Sequence, residues 1–130
     1  MSATPVKISL QSHMRFNKSS YTAGLFAEWR ARWLLRLHGF KILESRYVTG
    51  RNTGRAEIDI IARRGNLMIF VEVKCRKTIN AAFAAITPHQ ISRLRAAAHG
   101  YMARQRFRGD ARFDVIIVVG RKCHWVRGAI

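Results

Sequence analysis

The feature that most constrains this chain is a pair of apolar segments separated by one short turn. Residues 55–61 are Arg-Ala-Glu-Ile-Asp-Ile-Ile and residues 69–74 are Ile-Phe-Val-Glu-Val-Lys, with Gly65-Asn66 between them. Glycine and asparagine tolerate the positive φ angles of a two-residue turn, and β-branched residues are frequent on both sides. The pattern therefore predicts an antiparallel hairpin in which Arg64 faces Leu67.

Three acidic side chains occur inside this hairpin, although the chain contains few acids. The 130 residues include seven Asp and Glu against 24 Lys and Arg. Three of the seven, Glu57, Asp59 and Glu72, alternate with apolar residues in the predicted strands. A carboxylate is costly to bury unless something pairs with it. We therefore expect these acids to have a function.

The predicted register places the acids on one face of the hairpin. If Arg64 faces Leu67, then Asp59 lies opposite Glu72, and the period-2 alternation of side chains keeps them on the same side. Directly opposed Cβ atoms are roughly 4.5–5.5 Å apart, so the two carboxylates repel each other. A slip of one residue would move them to the other face. The pattern therefore favours this register or another that keeps the parity.

A hard divalent cation would resolve the repulsion, because Mg²⁺ binds one or two carboxylates together with phosphate and water. We predict Asp59 and Glu72 as ligands of Mg²⁺ (or Mn²⁺), with the carbonyl of Val73 as a further candidate. Lys74 would orient or help deprotonate an attacking water, or neutralise developing charge. Glu57 would pair with Lys74 or join the ligands. The competing interpretation is a ladder of cross-strand ion pairs in which Glu57 and Lys74 neutralise each other.

The charge of the whole chain indicates a polyanionic partner. The formal net charge is +17, which favours DNA or RNA over an anionic membrane surface; ribosome-like basicity without catalysis is the alternative. Cys75 and Cys123 form no CxxC pair, so neither a disulfide framework nor a zinc site is indicated, and free thiols fit a reducing compartment. The apolar runs are all shorter than the roughly 18 residues of a membrane helix.

The remaining pattern predicts a flexible basic N-terminal arm over residues 1–20 and a single domain over residues 21–130. The predicted elements are a helix from Thr22 to about His38, strands over about Phe40–Val48, Glu57–Arg63 and Leu67–Arg76, a helix from Thr87-Pro88 to about Arg106, the strand Phe113–Val119, and an optional edge strand Cys123–Val126. Their order, α-β-β-β-α-β, predicts an α/β fold with a mixed sheet flanked by helices.

The first predicted helix has two neighbouring apolar arcs. Helical spacing predicts a core face formed by Leu25, Phe26, Trp29, Trp33 and Leu37. The second arc is mostly small and would let the helix approach a sheet closely; it consists of Gly24, Ala27, Ala31 and Leu35. Glu28 lies at the edge of the small arc, where it could pair with Arg32 at i+4 or take part in the site. The second helix carries an apolar stripe of Ile91, Leu94, Ala97, Ala98 and Tyr101.

The E-x-D and E-x-K pattern of Glu57, Asp59, Glu72 and Lys74 resembles the PD-(D/E)XK nuclease motif, and the element order resembles the restriction-endonuclease-like core. More narrowly, the chain resembles the YraN family, a largely uncharacterised bacterial family of that superfamily, over about residues 20–120. The matching stretches are residues 24–31 with Glu28, residues 57–62, residues 70–74, Ile86-Thr87 with Arg93-Leu94, and residues 113–115. The resemblance implies a nuclease-type triad of Asp59, Glu72 and Lys74, with Glu28 contributing from the first helix.

The chain departs from the family pattern at three positions. Ala27 and Ala56 replace glycines that the family has just before Glu28 and Glu57. Gln90 replaces a lysine that the family usually has on the second helix. A glutamine amide can still hydrogen-bond a phosphate, but it carries no charge.

Basic residues around the predicted cleft are candidate phosphate contacts, since arginine and lysine neutralise backbone phosphates without recognising the base sequence. The candidates are Arg51, Arg55, Arg63, Arg64, Arg76 and Lys77, joined on the second helix by Gln90 and Arg93. His89 could contact phosphate or simply occupy the exposed helix start. Asp114 begins a core strand, where we expect it to anchor a turn or an arginine.

These observations predict a small metal-dependent nuclease or resolvase-like enzyme that acts on DNA in the bacterial cytoplasm, associated with the nucleoid. Two alternatives from other classes stay open. The first is a non-catalytic nucleic-acid-binding module that keeps the fold. The second is an adaptor whose basic surface binds an acidic protein or the ribosome. A homodimer and an activating protein partner are also compatible with the sequence.

Overall fold

The structure, a computed structural model, describes residues 21–50 and 55–130. The predicted arm over residues 1–20 and most of the predicted loop, including Arg51, lie outside the described residues. The elements are α1 (21–37), β1 (Lys41–Thr49), β2 (Ala56–Arg64), β3 (Leu67–Cys75), α2 (Ile79–Ala84), α3 (Pro88–Gln105), β4 (Asp110–Val119) and β5 (Lys122–Val126). The predicted elements are confirmed, and among the elements from β1 onward only β4 begins more than two residues away from its predicted start.

The five strands form one mixed sheet in the order β1-β2-β3-β4-β5. The β3–β4 pair is parallel and the other three pairs are antiparallel. A parallel pair needs a crossover connection, which α2 and α3 supply. The predicted turn is confirmed, because Gly65 has a φ of +58° and Arg64 pairs with Leu67. The apolar strand β4 lies between β3 and β5 and is therefore not an edge strand.

Side chains that alternate along β2 and β3 separate two cores. On one face of the sheet, Ile61 and Phe70 pack with Leu94 and Tyr101 of α3. On the other face, Ile60, Val71 and Ile116 pack with Ala31 and Leu35 of α1. The mixed α/β sheet with helices on its two faces is the predicted restriction-endonuclease-like core. It brings Glu28 of α1 and the start of α3 to the same part of the hairpin.

The predicted core face of α1 is wrong. Ala27, Ala31 and Leu35 are buried, whereas Trp29 and Trp33 are 50% and 49% exposed. The other members of the predicted face are also exposed: Leu25, Phe26 and Leu37. Both arcs are apolar, so periodicity could not choose between them. The arc with small side chains is the one packed against the sheet, where it lets the helix come close.

The connection between β3 and β4 contains one helix that was predicted and one that was not. In α3, the Thr87 side chain accepts a hydrogen bond from the backbone N–H of Gln90, and Pro88 is the first helical residue, as predicted. The short helix α2 was missed because it buries only Ala82, which packs on Val115 of β4. None of the helices within residues 21–50 and 55–130 is long and apolar enough to cross a membrane.

Candidate active site

The hairpin opens where its acidic residues begin. Backbone pairing between β2 and β3 runs from Arg64–Leu67 to Ile60–Val71, and no pair is assigned between residues 56–59 and 72–75. Instead, the Asp59 carboxylate oxygen Oδ2 accepts a hydrogen bond from the backbone N–H of Val73 at 2.8 Å. The predicted parity is retained, but the ladder stops one step before the predicted Asp59–Glu72 pair. A side chain has taken the place of a strand partner, which leaves room for a cleft.

Glu72 is held by two donors. Its side chain is 5% exposed, and its Oε2 atom forms an ion pair with Lys74 Nζ at 2.9 Å and accepts a hydrogen bond from Gln90 Nε2 at 3.0 Å. Lys74 therefore pairs with Glu72 on its own strand, and the expected pairing of Lys74 with Glu57 is wrong. The physical reason is the opening of the hairpin, which removes Glu57 as a cross-strand neighbour. Residues two apart on one strand still share a face.

The cleft includes one acid from outside the hairpin. Glu28 of α1 binds Arg46 of β1, with 2.9 Å between Glu28 Oε1 and Arg46 Nε. The alternative pairing of Glu28 with Arg32 is therefore wrong. Arg46 has a φ of +55°, in the left-handed region that non-glycine residues rarely occupy. No sequence signal pointed to Arg46. Its role depends on the packing of α1 beside β1.

The acids of the cleft interact strongly through their charges. Burial, together with the negative charge of Glu72, raises the pKa of Asp59 to about 8, and Glu28 and Glu57 act in the same direction. The hydrogen bond from Val73 opposes this shift. Each of these causes except the hydrogen bond disfavours a bare Asp59 carboxylate. A proton or a bound cation at this position would relieve the repulsion.

The donor set fits a hard divalent cation that keeps part of its water shell. Within the described part of the chain, His, Cys, Asp and Glu side chains nowhere form a group of three or more that could enclose a metal. The cleft offers two carboxylates, those of Asp59 and Glu72, and Mg²⁺ typically binds one or two carboxylates plus substrate phosphate and water. A site of closed geometry, such as structural zinc, would need more ligands. The residues therefore fit Mg²⁺ or Mn²⁺.

The cleft has a volume of about 460 Å³ and lies between the open hairpin and the start of α3. Of the eight predicted nucleic-acid contacts, three line it: Arg55, Gln90 and Arg93. His89 and Thr87 line it as well. The side-chain amide of Gln90 donates a hydrogen bond to the Glu72 carboxylate. Gln90 therefore helps to orient a carboxylate, a role that the sequence did not suggest.

Other predicted contacts lie away from the cleft. Arg63 donates to the Gly65 carbonyl, and Arg64 donates to the His38 carbonyl and lies over the Phe40 ring. These two residues belong to the turn end of the hairpin, about 13 Å (Arg63) and about 17 Å (Arg64) along the strand from Asp59 at about 3.3 Å per residue. Their expected position beside the cleft is wrong, because the carboxylates gather at the open end. Arg76 and Lys77 follow β3 on the exposed surface and do not line the cleft.

Asp114 is a structural carboxylate, as the sequence predicted. It is fully buried, and it accepts two hydrogen bonds from Arg112, at 2.8 and 2.9 Å, and one each from the Trp125 indole and the Gly128 backbone. Burial raises its pKa, but the bonds from Arg112, Gly128 and Trp125 outweigh that effect, and the pKa is lowered overall. Asp114 is thus committed to joining β4 to β5 and the residues after it.

The fold and the site together define the class of this protein. A five-stranded mixed sheet flanked by helices, with paired carboxylates and a lysine where the central hairpin opens, is a restriction-endonuclease-like α/β core. The profile of the uncharacterised protein family UPF0102 matches residues 27–118, and the chain belongs to that family, which is the YraN family that the sequence resembles.

Relatives in several bacteria share most of the chain. A UPF0102 protein of Paramagnetospirillum magneticum is 39% identical over 106 residues, covering 80% of this chain and 82% of the relative. A UPF0102 protein of Bartonella quintana is 43% identical over 104 residues, covering 78% and 82%. A third, from Brucella canis, is 42% identical over 105 residues, covering 79% and 80%.

Proposed function

We propose that this protein is a metal-dependent nuclease that hydrolyses phosphodiester bonds of DNA. The observation that carries the proposal is the convergence of Asp59, Glu72 and Lys74 at the open end of the hairpin, inside a cleft. A chain with seven acids places four of them in this one cleft, the other two being Glu28 and Glu57. Structural needs alone do not explain this concentration, because clustered carboxylates destabilise each other.

Asp59 and Glu72 would hold Mg²⁺ or Mn²⁺, which lowers the pKa of a bound water and stabilises the charge on a phosphate oxygen. The protein orients the two carboxylates through different partners. The Val73 N–H orients Asp59, and Gln90 with Lys74 orients Glu72. The Lys74 side chain is 14% exposed, and the ammonium protons that do not face Glu72 can donate to a phosphate oxygen or to an attacking water.

Substrate binding would rest on the cationic groups at the rim. Arg55 and Arg93 line the cleft beside the carboxylates and are exposed, so they can bind the phosphates that flank the reacting one. The net charge of +17 would attract any polynucleotide over a longer range. We place the protein in the bacterial cytoplasm, close to DNA, as part of this proposal.

A second candidate is a nucleic-acid-binding module that does not catalyse. It is favoured by the Glu72–Lys74 pair at 2.9 Å, because this pair neutralises one carboxylate without a metal. It explains less well why Asp59 has a raised pKa and, among the residues that the structure describes, only a backbone N–H as a hydrogen-bond donor.

Cleavage assays on defined DNA separate the two candidates. Purified full-length protein is incubated with labelled linear, nicked and four-way-junction DNA in Mg²⁺, in Mn²⁺ and in EDTA. We expect cleavage that needs the metal, and a loss of about 100-fold or more in Asp59→Asn and in Lys74→Met. DNA binding in EDTA, measured by fluorescence anisotropy, should change little, because neither substitution removes a rim arginine.

Two matched controls test the assignment of the site. Asp110→Asn and Lys122→Met make the same chemical changes at exposed positions on β4 and β5, and both proteins should cleave as the wild type does. Intact binding with no cleavage of any substrate would establish the binding module instead. Cleavage that survives in Asp59→Asn would show that the active site lies elsewhere.

A further inference from the structure

Four aromatic rings form an exposed surface on α1 that the cleft does not use. We call it the aromatic face; it consists of Tyr21, Phe26, Trp29 and Trp33. Each of these side chains is between 49% and 61% exposed. Exposed Leu25 and Leu37 adjoin it. Contiguous apolar surface of this kind usually marks an interaction site, and the buried side of α1 is already occupied by the sheet.

Arginines are interleaved with these rings. Arg36 lies over the Trp33 ring at 5.4 Å and Arg30 over the Phe26 ring at 5.9 Å. Phe26 and Trp29 stack on each other, with ring centroids 5.7 Å apart and an angle of 26° between the planes. Arg30 also donates hydrogen bonds to the Gly120 and Arg121 carbonyls, so Arg36 is the guanidinium that the face presents beside its flat rings.

The charges on α1 decide which partner fits. The only acid of α1 is Glu28, and its carboxylate is bound to Arg46, so the face has no negative group to attract a cationic partner. A second copy of the chain would bring the arginines of two molecules of charge +17 together. A bilayer would have to accept Arg36, which helical spacing places between Trp29 and Leu25 within the exposed surface. A partner that carries both negative charges and flat rings would be complementary to the aromatic face.

We propose that the aromatic face binds single-stranded nucleic acid, with bases stacked on the rings and a phosphate paired with Arg36 beside them. Duplex bases are already stacked on each other, so the rings would have little to bind in a duplex. The face also connects to the cleft, since Arg46 lies over the Tyr21 ring at 5.7 Å and holds Glu28 at the cleft wall.

The inference deepens the proposed function, on which its link to catalysis rests: it names DNA with a single-stranded part as the substrate class. Binding itself needs no catalysis. It can therefore be tested in EDTA, where cleavage is absent, and a failure of binding is distinguishable from a failure of the nuclease.

The test is anisotropy of labelled oligo-dT and oligo-U of about 20 nucleotides, a length that covers one or more binding sites, beside a blunt duplex of equal length. Trp33→Ala and Trp29→Ala should each weaken single-strand binding by about tenfold or more, with little change for the duplex. Trp33→Phe should retain most of the affinity because it keeps a ring. Trp33→Leu should lose it, although it keeps an apolar side chain. If base stacking dominates, each alanine substitution should weaken the binding of oligo-dT and of oligo-U by the same factor.

Leu37→Ala is the matched control, because it removes exposed apolar surface without removing a ring. It should bind oligo-dT as the wild type does. Intrinsic fluorescence gives a second readout: the chain has three tryptophans, and Trp29 and Trp33 should be quenched by oligo-dT while the remaining one, Trp125, is not.

Other partners give different results. If Trp33→Leu binds oligo-dT as tightly as the wild type, stacking is excluded. Binding to vesicles of anionic lipid, or dimerisation in sedimentation, that Leu37→Ala and Trp33→Ala weaken alike would assign the face to a membrane or to a second copy and overturn the proposal.

Discussion

At the scale of single residues, two carboxylates of this protein, those of Asp114 and Asp59, have opposite electrostatic environments. Asp114 accepts four hydrogen bonds, two of them from the guanidinium of Arg112, and its pKa is lowered. From the described part of the chain, Asp59 accepts one backbone hydrogen bond and faces other acids, and its pKa is raised. One carboxylate stabilises the fold in its charged form, whereas the other would be stabilised by a ligand.

Asp114→Asn should destabilise the protein in a pH-dependent way. A lowered pKa means that the charged form stabilises the folded state above the ordinary pKa of 3.8, and that this contribution is lost as the pH falls through the folded-state value. We expect a loss of about 2 kcal/mol at pH 7, below the value for a fully buried pair because Arg112 is partly exposed. Urea unfolding of both proteins between pH 3 and 8 measures it.

The difference in the free energy of unfolding between wild type and Asp114→Asn should be constant above about pH 5 and should become smaller toward pH 3. Asp110→Asn provides the comparison, since it alters an exposed acid at the start of the same strand. A difference that stays constant across the whole range would mean that the charge of Asp114 contributes nothing to stability.

At the scale of elements, the entry of β4 is fixed by the hairpin turn. The backbone N–H of Asp110 donates to the Asn66 carbonyl at 2.8 Å, and β4 then runs parallel to β3 from the pair Leu67–Asp110. Gly109 lies directly before this contact. A methyl group at Gly109 would overlap the Asn66 carbonyl oxygen and the Phe107 ring. The turn and the β4 entry therefore depend on a position without a side chain.

Gly109→Ala should lower stability by about 2 kcal/mol, because the backbone of Asn66 has to shift. Gly24→Ala is the matched control: a methyl at this position of α1 meets nothing within 4 Å, and alanine favours the helix by up to about 1 kcal/mol. Thermal unfolding of both variants gives the comparison. A neutral Gly109→Ala would show that the turn and the β4 entry are not tightly packed.

At the scale of the whole molecule, charge is segregated. Four of the seven acids line one cleft, while the chain carries 24 Lys and Arg. A cation is attracted locally, and a polyanion is attracted by the rest of the surface. Within the described residues, Arg55, His89 and Arg93 form the rim where the two kinds of ligand would meet.

DNA affinity should therefore fall steeply with salt, with a log–log slope of about −3 to −5 if roughly four phosphates are contacted. Arg93→Gln removes a rim charge and should make the slope shallower by about one. Arg64→Gln removes the same charge at the turn end of the hairpin, where it binds the His38 carbonyl, and should leave the slope unchanged. Equal effects of the two substitutions would move the binding surface away from the cleft.

The sequence by itself determined the elements and the set of acids at one end of the hairpin. Gly65-Asn66 specifies a tight turn, Thr87-Pro88 specifies a helix start, and alternation puts Asp59, Glu72 and Lys74 on one face. These signals are short-range: each depends on the backbone preferences of a few neighbouring residues. The order and bounds of the strands could therefore be predicted closely.

Only the tertiary structure decided which groups meet. The packed structure buries Ala31 and leaves Trp33 exposed. It also pairs Lys74 and Gln90 with Glu72, and Arg46 with Glu28. In each case the alternatives were two equally apolar arcs of a helix or several charged partners that are distant in sequence. Local periodicity does not distinguish between such alternatives. Packing against the sheet removes that degeneracy, because only one arc of α1 can lie close to it and only one end of the hairpin can open.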